Sequence, residues 1–357
     1  MRIADPVVNA DMATIVTLGV DLWKEISGRT VLITGGTGFV GSYLVESIVA
    51  LNAIHPETPC RLLLPTRSLG TVVDHLAHLL GVPNVHWFTW NGTTLKPPFE
   101  RCDYIIHGAS PSDPGNYLRN PAATLREIVT MTEAVVEYAR SSGTKRLLYL
   151  SSGAVYGPQP SGLDAIPESY LGGVSLVNSQ SCYAEAKRYC ELLCQLAGFP
   201  VVVARLFAFV GPYQDLKASF AVPQFLRQAA SCGRIQVQGD GTALRTFCYS
   251  SDLTLSLWTL LLRGEAGTAY NVGASNPVVS IRELAEEIAA LVGNVTVEVL
   301  GRIDENSAGR FRYVPDISRL TSLYKPVVTL SEALEKVLSS MRYRDLLPAY
   351  VTKDTIS

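Results

Sequence analysis

The sequence predicts an α/β protein, with a doubly wound parallel sheet followed by a smaller C-terminal α/β lobe. Three observations carry this. Short apolar runs alternate with segments of helical apolar spacing up to Phe207. A glycine-rich turn joins the first run to the first helix. From about Gly211 the rhythm changes, with helices outweighing short strands. A length of 357 residues also exceeds one typical domain and suits two lobes.

Residues 1–27 read as an N-terminal arm that packs on the first lobe or forms a dimer contact. Thr30–Thr34 is the first strand, and Phe39–Leu51 the helix after the turn. Arg61–Pro65, His86–Trp90, Tyr104–His107, Arg146–Ser151 and Pro200–Phe207 give five more strands, with helices at Pro121–Ser141 and Ser181–Ala197. Residues 28–207 thus form the first lobe. Residues 208–345 form the second, with helices at Phe220–Ala230, Ile281–Leu291 and 331–340 and short strands near Gln236, Tyr270 and Val295. Residues 346–357 form a tail. The chain is expected to cross between lobes more than once.

Composition bounds the function. Hydrophobic residues are 47% and charged residues 17%, as in a protein with a large core. A net charge of −2 offers no field for nucleic acid. No run approaches the ~18 apolar residues that span a bilayer. Asp5, Asp11 and Asp21, with no basic leader, argue against a signal peptide. The 7 cysteines are odd in number and show no CxxC pair, which implies reduced thiols, no metal site and a cytoplasmic protein.

The turn is Gly35-Gly36-Thr37-Gly38-Phe39-Val40-Gly41. Between a strand and a helix, these glycines let the backbone approach a pyrophosphate, and the helix N-terminus offers N–H groups to it. This is a Rossmann-type dinucleotide site. After the second strand, Pro65-Thr66-Arg67-Ser68 lacks the acid that binds the ribose of NAD. Arg67 suits a 2′-phosphate, so the cofactor is NAD or NADP, with NADP favoured. Asn91 falls where a residue after the third strand can meet adenine.

Tyr183 and Lys187 stand one helical turn apart, on one face. An ammonium beside the phenol favours phenolate, so Tyr183 is expected to act as a base below its ordinary pKa, while Lys187 also holds the nicotinamide ribose. Ser152, just past the fifth strand, could bond the same sugar oxygen.

With these motifs the chain resembles the extended short-chain dehydrogenases/reductases, a group of nucleotide-sugar epimerases, dehydratases and decarboxylases. The resemblance covers roughly residues 28–340. It includes His107-Gly-Ala-Ser-Pro111, Arg205-Leu-Phe-Ala-Phe-Val-Gly-Pro212, Gly239-Asp-Gly-Thr-Ala-Leu-Arg-Thr-Phe247 with Asp252, Tyr270-Asn-Val-Gly273 and Asp316-Ile-Ser-Arg319. It implies a nucleotide-diphosphate sugar as substrate and a homodimer. It places Ala109, Ser110 and Phe207 at the cofactor and Ser110 and Ser152 at the substrate. It also places Arg245 on the diphosphate, Arg312 as a weaker candidate for the same anion, and Tyr213, Gln224 and Phe225 in the substrate loops. The family's Asn on the helix after strand four is replaced by Glu127 or Ile128.

The shared first step is oxidation at sugar C4. Gly153 and Ala154 stand where dehydratases carry Asp-Glu, so dehydration is disfavoured. A 4-epimerase needs only Ser152, Tyr183 and Lys187. Decarboxylases of a nucleotide-linked glucuronate resemble the chain in Ser181-Cys-Tyr183 and Ala109-Ser-Pro-Ser-Asp-Pro114, but keep a Glu where Ala154 stands. A 4-ketosugar reductase would need the same residues as the epimerase. A non-catalytic NAD(P)-binding sensor is disfavoured, because Tyr183 and Lys187 are both present. The expectation is therefore an NAD(P)-dependent 4-epimerase, with decarboxylase, reductase and sensor as alternatives.

Overall fold

The computed structural model describes residues 5–72, 74–176, 178–301 and 312–346. Six strands follow the sequence closely: β1 (Thr30–Thr34), β2 (Arg61–Thr66), β3 (Val85–Thr89), β4 (Tyr104–His107), β5 (Arg146–Ser152) and β6 (Val201–Leu206). They form one parallel sheet in the order β6-β5-β4-β1-β2-β3. The strand centres are apolar on both faces, as a sheet covered on both sides requires. One face is covered by the helices Pro121–Ser142 and Cys182–Gln195, the other by Phe39–Ile54 and Ser250–Arg263.

The strand expected at Tyr270 within the smaller lobe lies elsewhere. Ala269–Val272 pairs parallel with β6 as the seventh strand of the main sheet. The helix that leads to it, Ser250–Arg263, is buried almost all round, so it must be covered on both sides. The sheet covers one side. The arm covers another, where Trp23 packs edge-on against Trp258 at 6.0 Å. The chain thus leaves the first lobe after β6 and returns for residues 250–273.

The second lobe packs the helices Ala221–Cys232, Ile281–Val292 and Leu330–Tyr343 around a parallel pair, Arg234–Val237 and Thr296–Val299. The last two helices open with capping boxes, Ser280/Glu283 and Thr329/Glu332.

The arm forms α1 (Pro6–Leu18) and α2 (Val20–Ile26). Asp5 caps α1 by accepting from Val7 N at 2.9 Å. Asp11 is fully buried. It accepts from the Tyr43 hydroxyl at 2.9 Å, the Tyr249 hydroxyl at 2.5 Å and Lys336 Nζ at 2.7 Å. Asp5 also accepts from the Ser340 hydroxyl. The arm therefore ties the first lobe to the last helix rather than resting on the first lobe alone. The expected tail lies outside the described residues from 347 on. Among the described residues no helix is long and apolar enough to cross a membrane.

Candidate active site

A cleft of about 980 Å³ opens at the carboxyl ends of the sheet strands, where open α/β sheets hold their ligands. Its floor is the glycine turn. Gly35 has φ +76, and a Cβ there would stand 2.9 Å from the backbone of Ala109. A Cβ on Gly41 would meet the Gly35 oxygen at 2.1 Å, so the helix lies directly against the turn. Gly38 opens that helix with no side-chain cap, and Thr37, Phe39 and Val40 line the cleft beside it. The backbone N–H groups there suit a pyrophosphate.

Thr34 and His107 brace the turn from below. The Thr34 hydroxyl meets His107 Nδ1 at 2.7 Å and accepts from Gly108 N at 3.2 Å and Ala109 N at 3.1 Å. Burial pushes His107 down to about 3, so the ring stays neutral. Ala109 and Ser110 reach the cleft, and the buried Ser110 hydroxyl has no hydrogen-bond partner among the described residues. An orphaned hydroxyl in a ligand cleft fits a bound dinucleotide or sugar. At the far end Arg67 is 89% exposed, 3.9 Å from Glu127. Asn91 lines the same end, but its carbonyl accepts from Thr93 N at 3.1 Å.

Ser152, Tyr183, Lys187 and Phe207 all line the opposite end. The Ser152 hydroxyl accepts from Ala154 N at 3.1 Å and lines the cleft with the Tyr183 phenol. Lys187 is 3% exposed, with Nζ donating to Leu150 O at 2.8 Å. Burial pushes its ammonium down to about 8. The Tyr183 phenol moves the opposite way to the expectation. Burial raises its pKa, and the bond from Ser152 only partly offsets this. Lys187 stands 5.8 Å from the Tyr183 ring centroid but is tied to a carbonyl, so desolvation outweighs its charge. Burial thus favours the neutral phenol.

Beneath these residues Glu191 accepts from Ser151 Oγ at 2.5 Å and from Arg205 Nη2 at 2.6 Å. Arg205 Nη1 donates to the Tyr156 hydroxyl at 2.8 Å, which donates to Asn271 at 2.8 Å. This chain locks the ends of three strands and fixes Ser152. Of the two candidates for the missing Asn, Ile128 is buried in the core, while Glu127 lines the cleft opposite Arg67.

Four expected substrate residues, Tyr213, Gln224, Phe225 and Arg312, lie off the cleft. Tyr213 is 7% exposed and donates to Glu46 at 3.0 Å, stacked on His75 at 4.3 Å. Gln224 falls within the helix Ala221–Cys232, of which Ala221 and Val222 but not Gln224 reach the cleft; its neighbour Phe225 is in the second-lobe core. Arg312 pairs with Asp164 at 3.0 Å, because its strand turns alternate side chains to opposite faces. Arg245 does line the cleft, its guanidinium 5.5 Å above the Tyr313 ring.

Two phenols escaped the sequence reading. Tyr117 stacks on Tyr183 at 5.1 Å and 8°. Tyr313 packs on Phe207 at 4.6 Å. Tyr313 sits next to Arg312, and a reading by strand alternation would have chosen it.

Comparisons with known proteins identify the family. The UDP-glucuronic acid decarboxylase 1 of Xenopus tropicalis is 31% identical over 327 residues, 89% of this chain and 73% of that protein. Decarboxylase 6 of Arabidopsis thaliana is 29% identical over 330 residues, 89% and 90% of the two chains. A UDP-glucose 4-epimerase structure from Thermotoga maritima superposes with TM-score 0.71 at 19% identity, over 88% of this chain and 99% of that one. A dTDP-glucose 4,6-dehydratase from Streptomyces venezuelae with bound NAD reaches 0.73 at 22%, over 90% and 99%. Residues 31–273 match the NAD dependent epimerase/dehydratase family, and the chain belongs to that family of NAD- or NADP-binding enzymes.

Proposed function

We propose that the chain modifies a nucleotide-diphosphate sugar by transient oxidation at C4 and return of the hydride, with C4 epimerisation as the outcome. The observation that carries this is the Ser152–Tyr183–Lys187 group at the end of a cleft floored by a dinucleotide turn. When bound, the cofactor supplies the hydride acceptor. Tyr183 accepts the C4 hydroxyl proton, Ser152 holds that oxygen, and Lys187 leaves Leu150 to bind the nicotinamide ribose. Arg245 meets the diphosphate, a task suited to a guanidinium. Arg67, exposed at the far end of the cleft, would hold the 2′-phosphate of NADP.

The carboxylates that line the cleft are engaged elsewhere. Asp113 accepts from Gly115 N at 2.7 Å and Ser219 N at 3.2 Å, Glu127 faces Arg67, and Asp215 accepts from Lys217 N at 2.9 Å. None follows Ser152, so elimination of water lacks its acid, and the small Ala154 lining the cleft leaves room for a ketosugar to turn. A second reading, decarboxylation of a nucleotide-linked glucuronate, is favoured by the run of decarboxylases among the relatives. A 4-keto acid loses CO₂ without a protein acid.

The test is incubation with UDP-glucose, UDP-glucuronate and dTDP-glucose in the presence of NAD or NADP, and with a nucleotide-4-ketosugar in the presence of NADH or NADPH. An isomer without net cofactor reduction supports epimerisation, and released CO₂ supports decarboxylation. Stoichiometric consumption of reduced cofactor with a ketosugar refutes both and leaves a reductase.

A further inference from the structure

The residue that fills the space beside Ser152 is Tyr313. The Ser152 hydroxyl acts on two phenols, Tyr183 and Tyr313, holding the pKa of each down against the rise that burial causes. The Tyr313 ring is held on one side by Phe207, at 4.6 Å, and on another by the Arg245 guanidinium, at 5.5 Å. Among the described residues its hydroxyl donates to the Leu206 carbonyl at 3.4 Å, a long contact that a ligand oxygen can outcompete. Gly153 makes the arrangement possible. A Cβ there would lie 2.6 Å from the Tyr313 oxygen and 2.8 Å from the Phe207 ring. The bare position after Ser152 and the phenol that occupies it are therefore one feature.

We propose that Tyr313 is a second catalytic phenol, which together with Ser152 donates a hydrogen bond to the substrate oxygen that becomes the C4 carbonyl. Gly153 is bare in order to seat it. This rests on the C4-oxidation reading. The step breaks the C4–H bond, with the electron pair leaving as hydride to the cofactor, and the O–H bond, with the proton going to Tyr183. While that proton is leaving, Tyr183 is its acceptor and cannot donate to the C4 oxygen, so the donors must be other groups. A neutral phenol in a desolvated cleft supplies one without introducing charge. Burial holds Tyr313 up at about 12, so it stays a donor at neutral pH.

The experiment compares the full-length protein with Tyr313→Phe, Gly153→Ala and Tyr183→Phe, on UDP-glucose, UDP-glucuronate and dTDP-glucose. Tyr313→Phe keeps the ring on Phe207 and removes only the hydroxyl. We expect kcat to fall roughly 100-fold with KM changed less than about 3-fold, the signature of a donor used in the transition state. Gly153→Ala, which displaces the phenol, should give the same pattern, with melting temperatures close to that of the parent. An unchanged kcat in Tyr313→Phe, or a rise in KM alone, overturns the inference. If Tyr183→Phe keeps full activity, or the parent turns over none of the three sugars, the C4-oxidation reading fails first and this inference falls with it. Loss in Tyr183→Phe with a silent Tyr313→Phe sinks the inference alone.

Discussion

Lys187 carries its ammonium at 3% exposure, with Nζ donating to one carbonyl among the described residues, Leu150 O at 2.8 Å. Moving the group from 10.5 to about 8 corresponds to a cost of about 3 kcal/mol for the charged form. Because the folded-state pKa is lowered, that cost is fully present below about pH 8. It fades as pH rises from there towards the unfolded value of 10.5. Lys187→Met removes the charge and keeps a linear apolar side chain. It also loses a hydrogen bond worth about 1 kcal/mol. The net expectation is a gain of about 1–2 kcal/mol at pH 7 in the cofactor-free protein, shrinking to nothing by about pH 10. Catalysis should be lost at every pH. Urea unfolding of both proteins at pH 7 and pH 10, with equal m-values, measures the difference. A variant less stable than the parent at pH 7, or a gain that does not change with pH, would refute the claim that this ammonium is held at a cost for the sake of a ligand.

Arg67→Ala should weaken NADP about 10-fold or more and NAD little, since one charge-assisted contact to a 2′-phosphate is lost; fluorescence titration with each reduced cofactor reads this. Tyr213→Phe should leave KM for any nucleotide-sugar unchanged and cost about 1–2 kcal/mol of stability, because it removes a buried bond to Glu46 and nothing in the cleft. Asp11→Asn should cost about 3 kcal/mol, because Lys336 and two phenols lose their shared carboxylate. A loss below about 1 kcal/mol in thermal or urea unfolding would show that the arm contributes little to joining the lobes.

The first lobe was legible because periodicity and turn chemistry are local. Six strands fall within a residue or two of the spans read from apolar runs, and the glycine turn and the Tyr183–Lys187 pair need only adjacent positions. What escaped depended on contacts far apart in the chain. The seventh strand looked like part of the second lobe because only its pairing with β6 places it. Asp11 looked like one more arm acid, while its partners Tyr249 and Lys336 come from 238 and 325 residues away. Tyr213 and Arg312 lie in the right segments but face the wrong way, and a motif does not say which of two neighbours points inward. The phenolate at Tyr183 was inferred from the spacing to Lys187, which ignores the cost of burying the phenol. Tyr313 was passed over for the adjacent cation, although its clearance against Gly153 links two stretches the sequence leaves unconnected.

The central claim is that hydrogen leaves sugar C4 and comes back to it. It is tested most directly with UDP-glucose and UDP-glucuronate carrying deuterium at C4, with products read by mass spectrometry. The account predicts a slowed turnover and products, whether epimer or pentose, that keep the deuterium at C4. Products formed at an unchanged rate, or with that label exchanged into water, would contradict it.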